Sequence, residues 1–474
     1  MSELEPLLAS YLDLARHIDP LRYPEHAPPE CLHRLGRFDA VARRAHVAAL
    51  RSVANAIEDL ETIDQLDDEV DRTMLLDAIR TDVAVAEAAL GSATSNPMLP
   101  LAHLDAALVG LMGEDFDARS EAALRDRVGA VPEFLASLRE DARPAPPLII
   151  AQARIEPVLD QAGPLDAATE RLDDAAVQPA LVAAGEHRAW LQSVAREGGD
   201  YGWGSAAVES CLARMASEPL GVKGTLRLLE LRRGGVDRSL AAAVAELGDE
   251  EPLACAARLG AVTPSSDMLA DFWQDEWRRV WEEMRALGLP VVDADPPDLP
   301  ATTEDGWSMA AHAVRDHGVR MLLAERAAGS RPIRVALLAP GLLAGWGRTV
   351  AALLRGTDVF GLPERRVMMS YLALQENVAA ESDLMLHAGL EGADALLERS
   401  SEIVDGGNGE ASRRIVNAVA CEPLGALAAG LAHEAWQSWY AEVGGDPVVF
   451  LLQAMRGGGL SVHLARWAMK SGRE

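Results

Sequence analysis

Cationic side chains are in short supply: 44 Lys and Arg stand against 73 Asp and Glu in 474 residues, a formal net charge of −29. So acidic a chain repels nucleic acid and anionic membrane surfaces, and neither is expected as a partner. Cysteine is rare too. Cys31, Cys211, Cys255 and Cys421 show no CxxC or CxxH spacing, so no disulfide frame or zinc knot is expected, and reduced, buried thiols point to a cytoplasmic address. No window approaches the roughly 18 unbroken apolar residues of a membrane span. The stretch MSELEPLLASYLDLARHIDP lacks the basic leader and apolar run of an export signal. Fingerprints of common chemistries are missing as well: there is no GxGxxG after a strand, no GxxxxGK(S/T), no GxSxG and no HExxH. Aromatic residues make up only 4%, which carries no signal about oligomeric state.

What the chain does have is apolar content, 49% against 25% charged residues, enough for a large core. Apolar side chains recur at three- and four-residue intervals, as in Leu50, Val53, Ala54, Ile57, Leu60 and in Leu75, Leu76, Ile79, Val83, the period of an amphipathic helix. The expected fold is all-α, a large two-lobed helical body with a central cleft. Breaks are expected at Ser95-Asn96-Pro97, Arg143 to Pro147, Gly198 to Gly202, Gly234-Gly235 and Pro290 to Pro300. The last, within Leu289 to Pro300, is too rich in proline and aspartate for helix, and Val291-Val292 hints at a minor β element there. It reads as a seam between an N-terminal lobe, 1–288, and a C-terminal lobe, 301–474, unless the two form one continuous domain. The acidic run Asp67-Asp68-Glu69 reads as a solvated helix end.

The 11 histidines are the natural place to look for acid-base or metal chemistry. His17, His26, His33 and His46 are solitary and read as surface or packing residues; His103 follows a proline turn and reads as a helix-start hydrogen-bonding group. Gly306 to Arg326 differs, because His312, Asp316, His317 and Arg320 crowd into fewer than three turns of a largely apolar run. His312 and Asp316 lie four apart and share a helix face, so the carboxylate could orient the imidazole. His317 sits about 140° around the helix from His312, which disfavours a metal shared by the two. Asp383 and His387 repeat the four-residue spacing. His433-Glu434 lacks the second histidine of a zinc motif and reads as a non-site.

These segments, in this order, resemble the bacterial family known as domain of unknown function 885, all-α proteins related to zinc peptidases of the carboxypeptidase Taq type. His312 to His317 stands where that family has a histidine-glutamate motif closing in Pro-Gly-His, and Ala344-Gly345-Trp346 stands for its Glu-Gly-Trp. Asp383 to His387 matches an Asp-Thr-Gly-Leu-His motif at its polar ends. Pro423-Leu424-Gly425 and Gly457-Gly458-Gly459-Leu460 fit the last two motifs loosely, and Tyr23, Asp67 to Asp71 and Asn96-Pro97 agree in the N-terminal half. The resemblance implies a helical peptidase fold whose zinc would be held by the first-motif histidines and the Glu of Glu-Gly-Trp, with the Glu beside the first histidine activating water.

Here Ala313 holds the base position and Ala344 the third ligand position. With His317 as the anchor, the first ligand becomes Ala311 and His312 replaces the glutamate. Neither register leaves a full ligand set, so no metal and no cofactor is expected. The leading expectation is an enzyme that works without metal in a repurposed peptidase cleft on a small polar or peptide-like molecule, by hydrolysis, elimination or cyclisation. His312, Asp316, His317, Asp383 and His387 would be its acid-base groups, and Trp307, Arg320, Trp346 and Tyr371 its substrate-binding residues. The alternatives are a non-catalytic pseudoenzyme that binds a ligand or protein, and a residual zinc hydrolase completed by Asp316 or Asp383.

Overall fold

The computed structural model describes residues 3–21, 28–60, 65–91, 98–112, 116–141, 163–194, 202–215, 220–248, 251–262, 265–297, 306–328, 331–337, 340–405, 409–456 and 462–471. Among them the fold is all-α and contains no strand. The helices are α1 (Leu4–Ile18), α2 (Ala40–Glu58), α3 (Leu66–Gly91), α4 (Met98–Val109), α5 (Ala118–Asp141), α6 (Pro164–Thr169), α7 (Asp174–Val194), α8 (Ser205–Met215), α9 (Gly221–Ala245) and α10 (Pro252–Gly260). They continue with α11 (Ser266–Ala286), α12 (Met309–Ala328), α13 (Pro332–Ala336), α14 (Pro340–Leu354), α15 (Pro363–His387), α16 (Ala393–Ser400), α17 (Glu410–Cys421), α18 (Gly425–Val443), α19 (Pro447–Arg456) and α20 (Val462–Ser471).

The largest core joins distant parts of the chain. Leu4, Tyr11, Leu50, Ile57 and Ile79 from α1 to α3 are buried in one cluster with Trp346, Phe360 and Trp436, so apolar packing crosses the seam at 289–300. Polar contacts cross it as well. Asp71 is buried on α3 and accepts from Arg331 Nε at 2.5 Å and Arg334 Nε at 2.7 Å, while Asp68 pairs with Arg331 and Asp67 accepts from Arg334 Nη2 at 2.7 Å. Of the acidic run read as a solvated helix end, Asp67 is exposed at the start of α3, and it and Asp68 also join Asp71 in a clamp between α3 and α13.

Two expected features of the backbone are corrected. Helix α9 runs unbroken through Gly234-Gly235; burial of Leu229, Leu240 and Val244 on its inner face outweighs the roughly 1 kcal/mol helical cost of each glycine. The described part of the seam, 289–297, forms no strand. It is extended chain tied to α11 by two indoles, with Trp273 Nε1 donating to the Pro297 carbonyl at 2.7 Å and Trp277 Nε1 to that of Ala294 at 3.3 Å. The breaks expected at 95–97, 143–147 and 198–201, together with Tyr23, His26 and Gly457 to Leu460, lie outside the described residues.

Helix α14 forms the centre of the C-terminal part because it is both small-residued and aromatic. A Cβ on Gly345 would lie 2.6 Å from Ala432 Cβ and 2.8 Å from the Ala429 carbonyl oxygen, and one on Gly341 would lie 2.7 Å from Ala428 Cβ. Glycine at both positions lets the α14 backbone approach α18 closely. Next to Gly345, Trp346 is fully buried, donates Nε1 to the Gly318 carbonyl of α12 at 2.9 Å, and meets Trp436 of α18 with ring centroids 4.9 Å apart. Among the described residues no single helix is long and apolar enough to cross a membrane; α17 and α18 meet that test only as a pair bent by 98°.

Candidate functional site

The half-buried stripe of α12 forms the starting point. Ala310, Ala311, Ala313, Val314, His317 and Gly318 are buried against the core, which leaves His312, Arg315, Asp316 and Val319 on one face, spaced three, four and seven apart as a helix requires. This face lines a cavity of about 350 Å³ with Trp273, Pro297, Ala344, Gly347, Arg348 and Glu376. Behind it lies a chamber of about 40 Å³ lined by Arg232, Asn377, Gly430 and His433, with Arg315, Arg348 and Glu376 common to both spaces. His312 and Ala344, two positions singled out by the metal-site resemblance, thus face the same hollow.

Glu376 of α15 is the electrostatic centre. Its carboxylate accepts from both terminal nitrogens of Arg315, at 2.9 and 3.0 Å, and lies 2.9 Å from Arg348 Nε. Burial pushes its carboxyl upward, but Arg315, Arg348, His312 and Arg232 together hold it below the usual carboxylate range. Arg232 donates to the Gly430 carbonyl at 3.0 Å and lies 3.7 Å from Glu434; burial pushes its guanidinium down to about 10, still charged at neutral pH. Burial, then the charge of Arg315, pushes His312 down to about 4, so its imidazole is neutral at pH 7. Three guanidiniums thus share two carboxylates around these spaces, a local excess of positive charge in a chain of net charge −29.

The sequence singled out nine residues, and the structure gathers few of them here. His312 and Asp316 line the outer cavity, yet the Asp316 carboxylate accepts from Arg320 Nε at 2.7 Å, and the charges acting on His312 are those of Arg315 and Glu376. The expected His312/Asp316 acid-base pair is therefore replaced by an ion pair within α12. Arg320 also stacks over Trp277, its guanidinium carbon 5.0 Å from the ring centroid. His317 points the other way, fully buried with its ring centroid 3.8 Å from that of Trp277 and Nε2 at 3.3 Å from the Trp277 carbonyl oxygen; burial pushes it down to about 4.

Asp383 and His387 line neither space, and the expected grouping with His312 does not form. Asp383 is fully buried and accepts from the backbone N–H groups of Leu424 at 2.8 Å and Leu427 at 3.0 Å, so it serves the start of α18 as a cap supplied by another helix. Leu424 is the non-glycine residue with positive φ among the described residues, 63°, and Asp383 holds its amide in that strained turn. Burial pushes the Asp383 carboxyl up to about 8, against the pull of these N–H donors. His387 is buried beside it, Nε2 3.1 Å from the Val419 carbonyl oxygen, and burial takes it down to about 4.

The aromatic walls are elsewhere too. Trp346 belongs to the core, and Trp307 and Tyr371 pack in a separate apolar cluster with Val367 and Ile403, where the Tyr371 hydroxyl donates to the Val404 carbonyl at 2.8 Å. Sequence reasoning missed Arg232, Arg348, Glu376 and Asn377 and set His433-Glu434 aside, although His433 lines the inner chamber and Glu434 faces Arg232.

Zinc chemistry fits this donor set poorly. His312 is accompanied in the outer cavity by Asp316 and Glu376, each carboxylate already engaged by arginine. No three His, Cys, Asp or Glu side chains among the described residues converge as a metal-binding group. A cation placed there would also meet the field of Arg315 and Arg348. The arrangement instead suits an anion, with charged forks lining a small, partly apolar space.

No protein-family profile and no curated protein matches the chain. Solved structures do share its fold. A candidate lipoprotein of unknown function from Shewanella oneidensis superposes with a TM-score of 0.69 at 12% identity, covering 99% of this chain and 100% of that one. A candidate lipoprotein from Colwellia psychrerythraea gives 0.74 at 11% identity, covering 99% of both chains. At these identities the likeness is one of fold.

Proposed function

We propose that this chain binds a small anionic, polar or peptide-like molecule in the hollow between α12, α14 and α15, holding it by charge without processing it. The observation that carries the reading is the cluster of Arg232, Arg315 and Arg348 around Glu376. The dispersal of the acid-base candidates favours binding over catalysis: of the five, only His312 and Asp316 line the hollow, and Asp316 is paired with Arg320. The resemblance to the domain of unknown function 885 family belongs to the same proposal, supported by His312 and Ala344 facing one cavity. So does a cytoplasmic address, supported by Cys31, Cys211, Cys255 and Cys421, all buried and none in a disulfide.

A second reading rests on one observation, that His312 is neutral and faces the cavity beside two arginines. It is a metal-free enzyme with His312 as its base and an arginine stabilising developing negative charge. A thermal-shift screen of small carboxylates, phosphates and short peptides, with mass spectrometry on each stabilising compound, separates the readings. Stabilisation with the compound recovered unchanged supports binding. Turnover abolished by His312→Ala would replace it with the enzyme, and a screen in which no anion stabilises the protein would refute both.

A further inference from the structure

The inner chamber is the more informative of the two spaces, because its polar groups are left incomplete in a consistent way. Its volume of about 40 Å³ exceeds the ~10–15 Å³ needed by one water and accommodates a group of carboxylate size. Arg348 turns Nε to Glu376 at 2.9 Å and lines the chamber with Arg232. Arg315 Nε is buried without an acceptor. These guanidiniums set directional donors at the edge of the chamber, suited to a planar anion.

The chamber also holds an acceptor that lacks a donor. Asn377 is 5% exposed, and its Nδ2 donates to the Leu229 carbonyl at 3.1 Å and to Glu381 Oε1 at 2.9 Å. Both partners are acceptors, which fixes the orientation of the amide. Its Oδ1 is then a buried acceptor with no donor among the described residues. His433 also lines the chamber. The Thr349 hydroxyl donates to the Gly345 carbonyl at 2.8 Å, so at 2.8 Å from Thr349 Oγ1 the His433 Nδ1 must carry the proton and donate to it. His433 Nε2 is left as an acceptor. A purely structural arginine staple explains the ion pairs but not the unpaired Asn377 acceptor.

We infer that the inner chamber anchors a small carboxylate bearing a hydrogen-bond donor on the adjacent carbon, a 2-hydroxy or 2-amido acid, with its carboxylate on Arg348 and Arg232 and its donor on Asn377 Oδ1. The remainder of the molecule leaves past Glu376 into the outer cavity. The inference rests on the proposed anion-binding function and specifies its ligand. Glu376 and Glu434 cap how much negative charge the site takes, which favours a monoanion over a doubly charged phosphate. The apolar lining from Ala351, Met369 and Ala373 fits the carbon skeleton.

The test is an equilibrium titration of the full chain with L-lactate, with propionate, which lacks only the hydroxyl, and with inorganic phosphate, repeated on Arg348→Gln and Arg232→Gln variants. Lactate binding more tightly than propionate by about three- to tenfold, the worth of one hydrogen bond to a buried acceptor, and weakened at least tenfold in either variant, is the expected result. Equal affinities for lactate and propionate would overturn the assignment of the donor, and tighter binding of phosphate would overturn the carboxylate. The wild-type comparison keeps the proposal falsifiable if a variant fails to fold. If neither acid binds while another anion from the screen does, this inference falls and the proposed function stands; if no anion binds at all, both fall.

Discussion

Replacing Asp383 by alanine separates a cap from a catalytic acid. The substitution removes the acceptors of two backbone N–H groups, those of Leu424 at 2.8 Å and Leu427 at 3.0 Å, in a site with no solvent exposure. Each buried donor left unpaired costs about 1–3 kcal/mol, so the loss for the two is about 2–6 kcal/mol, reduced if the strained turn at Leu424 relaxes. The cost depends on pH in a defined direction. Burial raises the carboxyl from 3.8 to about 8 in the fold. A group raised on folding contributes stability that is fully present below its unfolded value and is lost as pH rises through its folded value. The gap between wild type and Asp383→Ala is therefore larger at pH 5 than at pH 8. Urea midpoints at the two pH values, followed by far-ultraviolet circular dichroism, measure it. An Asp383→Ala protein with unchanged midpoints and abolished ligand binding or turnover would refute the cap and restore Asp383 to the site.

Gly345→Ala places a methyl 2.6 Å from Ala432 Cβ and 2.8 Å from two backbone atoms of α18. The overpacking cost of about 1–3 kcal/mol exceeds the gain of about 1 kcal/mol in helix propensity, so the melting temperature should fall; a rise would contradict the close approach of α14 to α18. His187, His317 and His387 are all fully buried and held down to about 4 from 6.5 by desolvation. Groups depressed on folding contribute stability above their unfolded value and lose it as pH falls through the folded one. These imidazoles, with His312, favour a lower urea midpoint at pH 4 than at pH 6.5, against the opposite pull of Asp383 and the other raised carboxyls Asp77, Asp237, Glu381 and Glu422. His187→Gln, which puts a neutral side chain there, should therefore shrink the drop, and an unchanged pH dependence would show that histidine charged in the fold. An anion bound beside Arg315 removes part of the positive field that, after burial, depresses His312. Its carbon-bound proton resonances should then titrate at higher pH with ligand than without, and an unchanged midpoint would place the ligand away from Arg315.

The helical architecture was legible in the sequence because burial on one face of a helix repeats every three to four residues, as the buried Leu50, Ala54 and Ile57 of α2 illustrate. Most of the site was not, because beyond the α12 stripe its members come from four other helices: Arg232, Arg348, Glu376 and His433 are separated by dozens of positions and form no local spacing. The spacing that did stand out, Asp383 and His387 four apart, marks a buried cap on a helix that begins some 40 residues later, a relation that only tertiary structure creates. Ala344-Gly345-Trp346 drew attention for a missing metal ligand. Its glycine and indole are explained by packing, with Gly345 against α18 and Trp346 under α12. One residue of that tripeptide, Ala344, does face the cavity.

The most direct measurement of whether the arginine cluster is a binding site is the nitrogen-15 spectrum of the arginine Nε–Hε groups while L-lactate is added. Resonances of Arg315, Arg348 and Arg232, assigned by substitution, are predicted to move together and saturate, with those of Arg279 and Arg366 unmoved. Saturable binding that leaves all three in place would contradict the account.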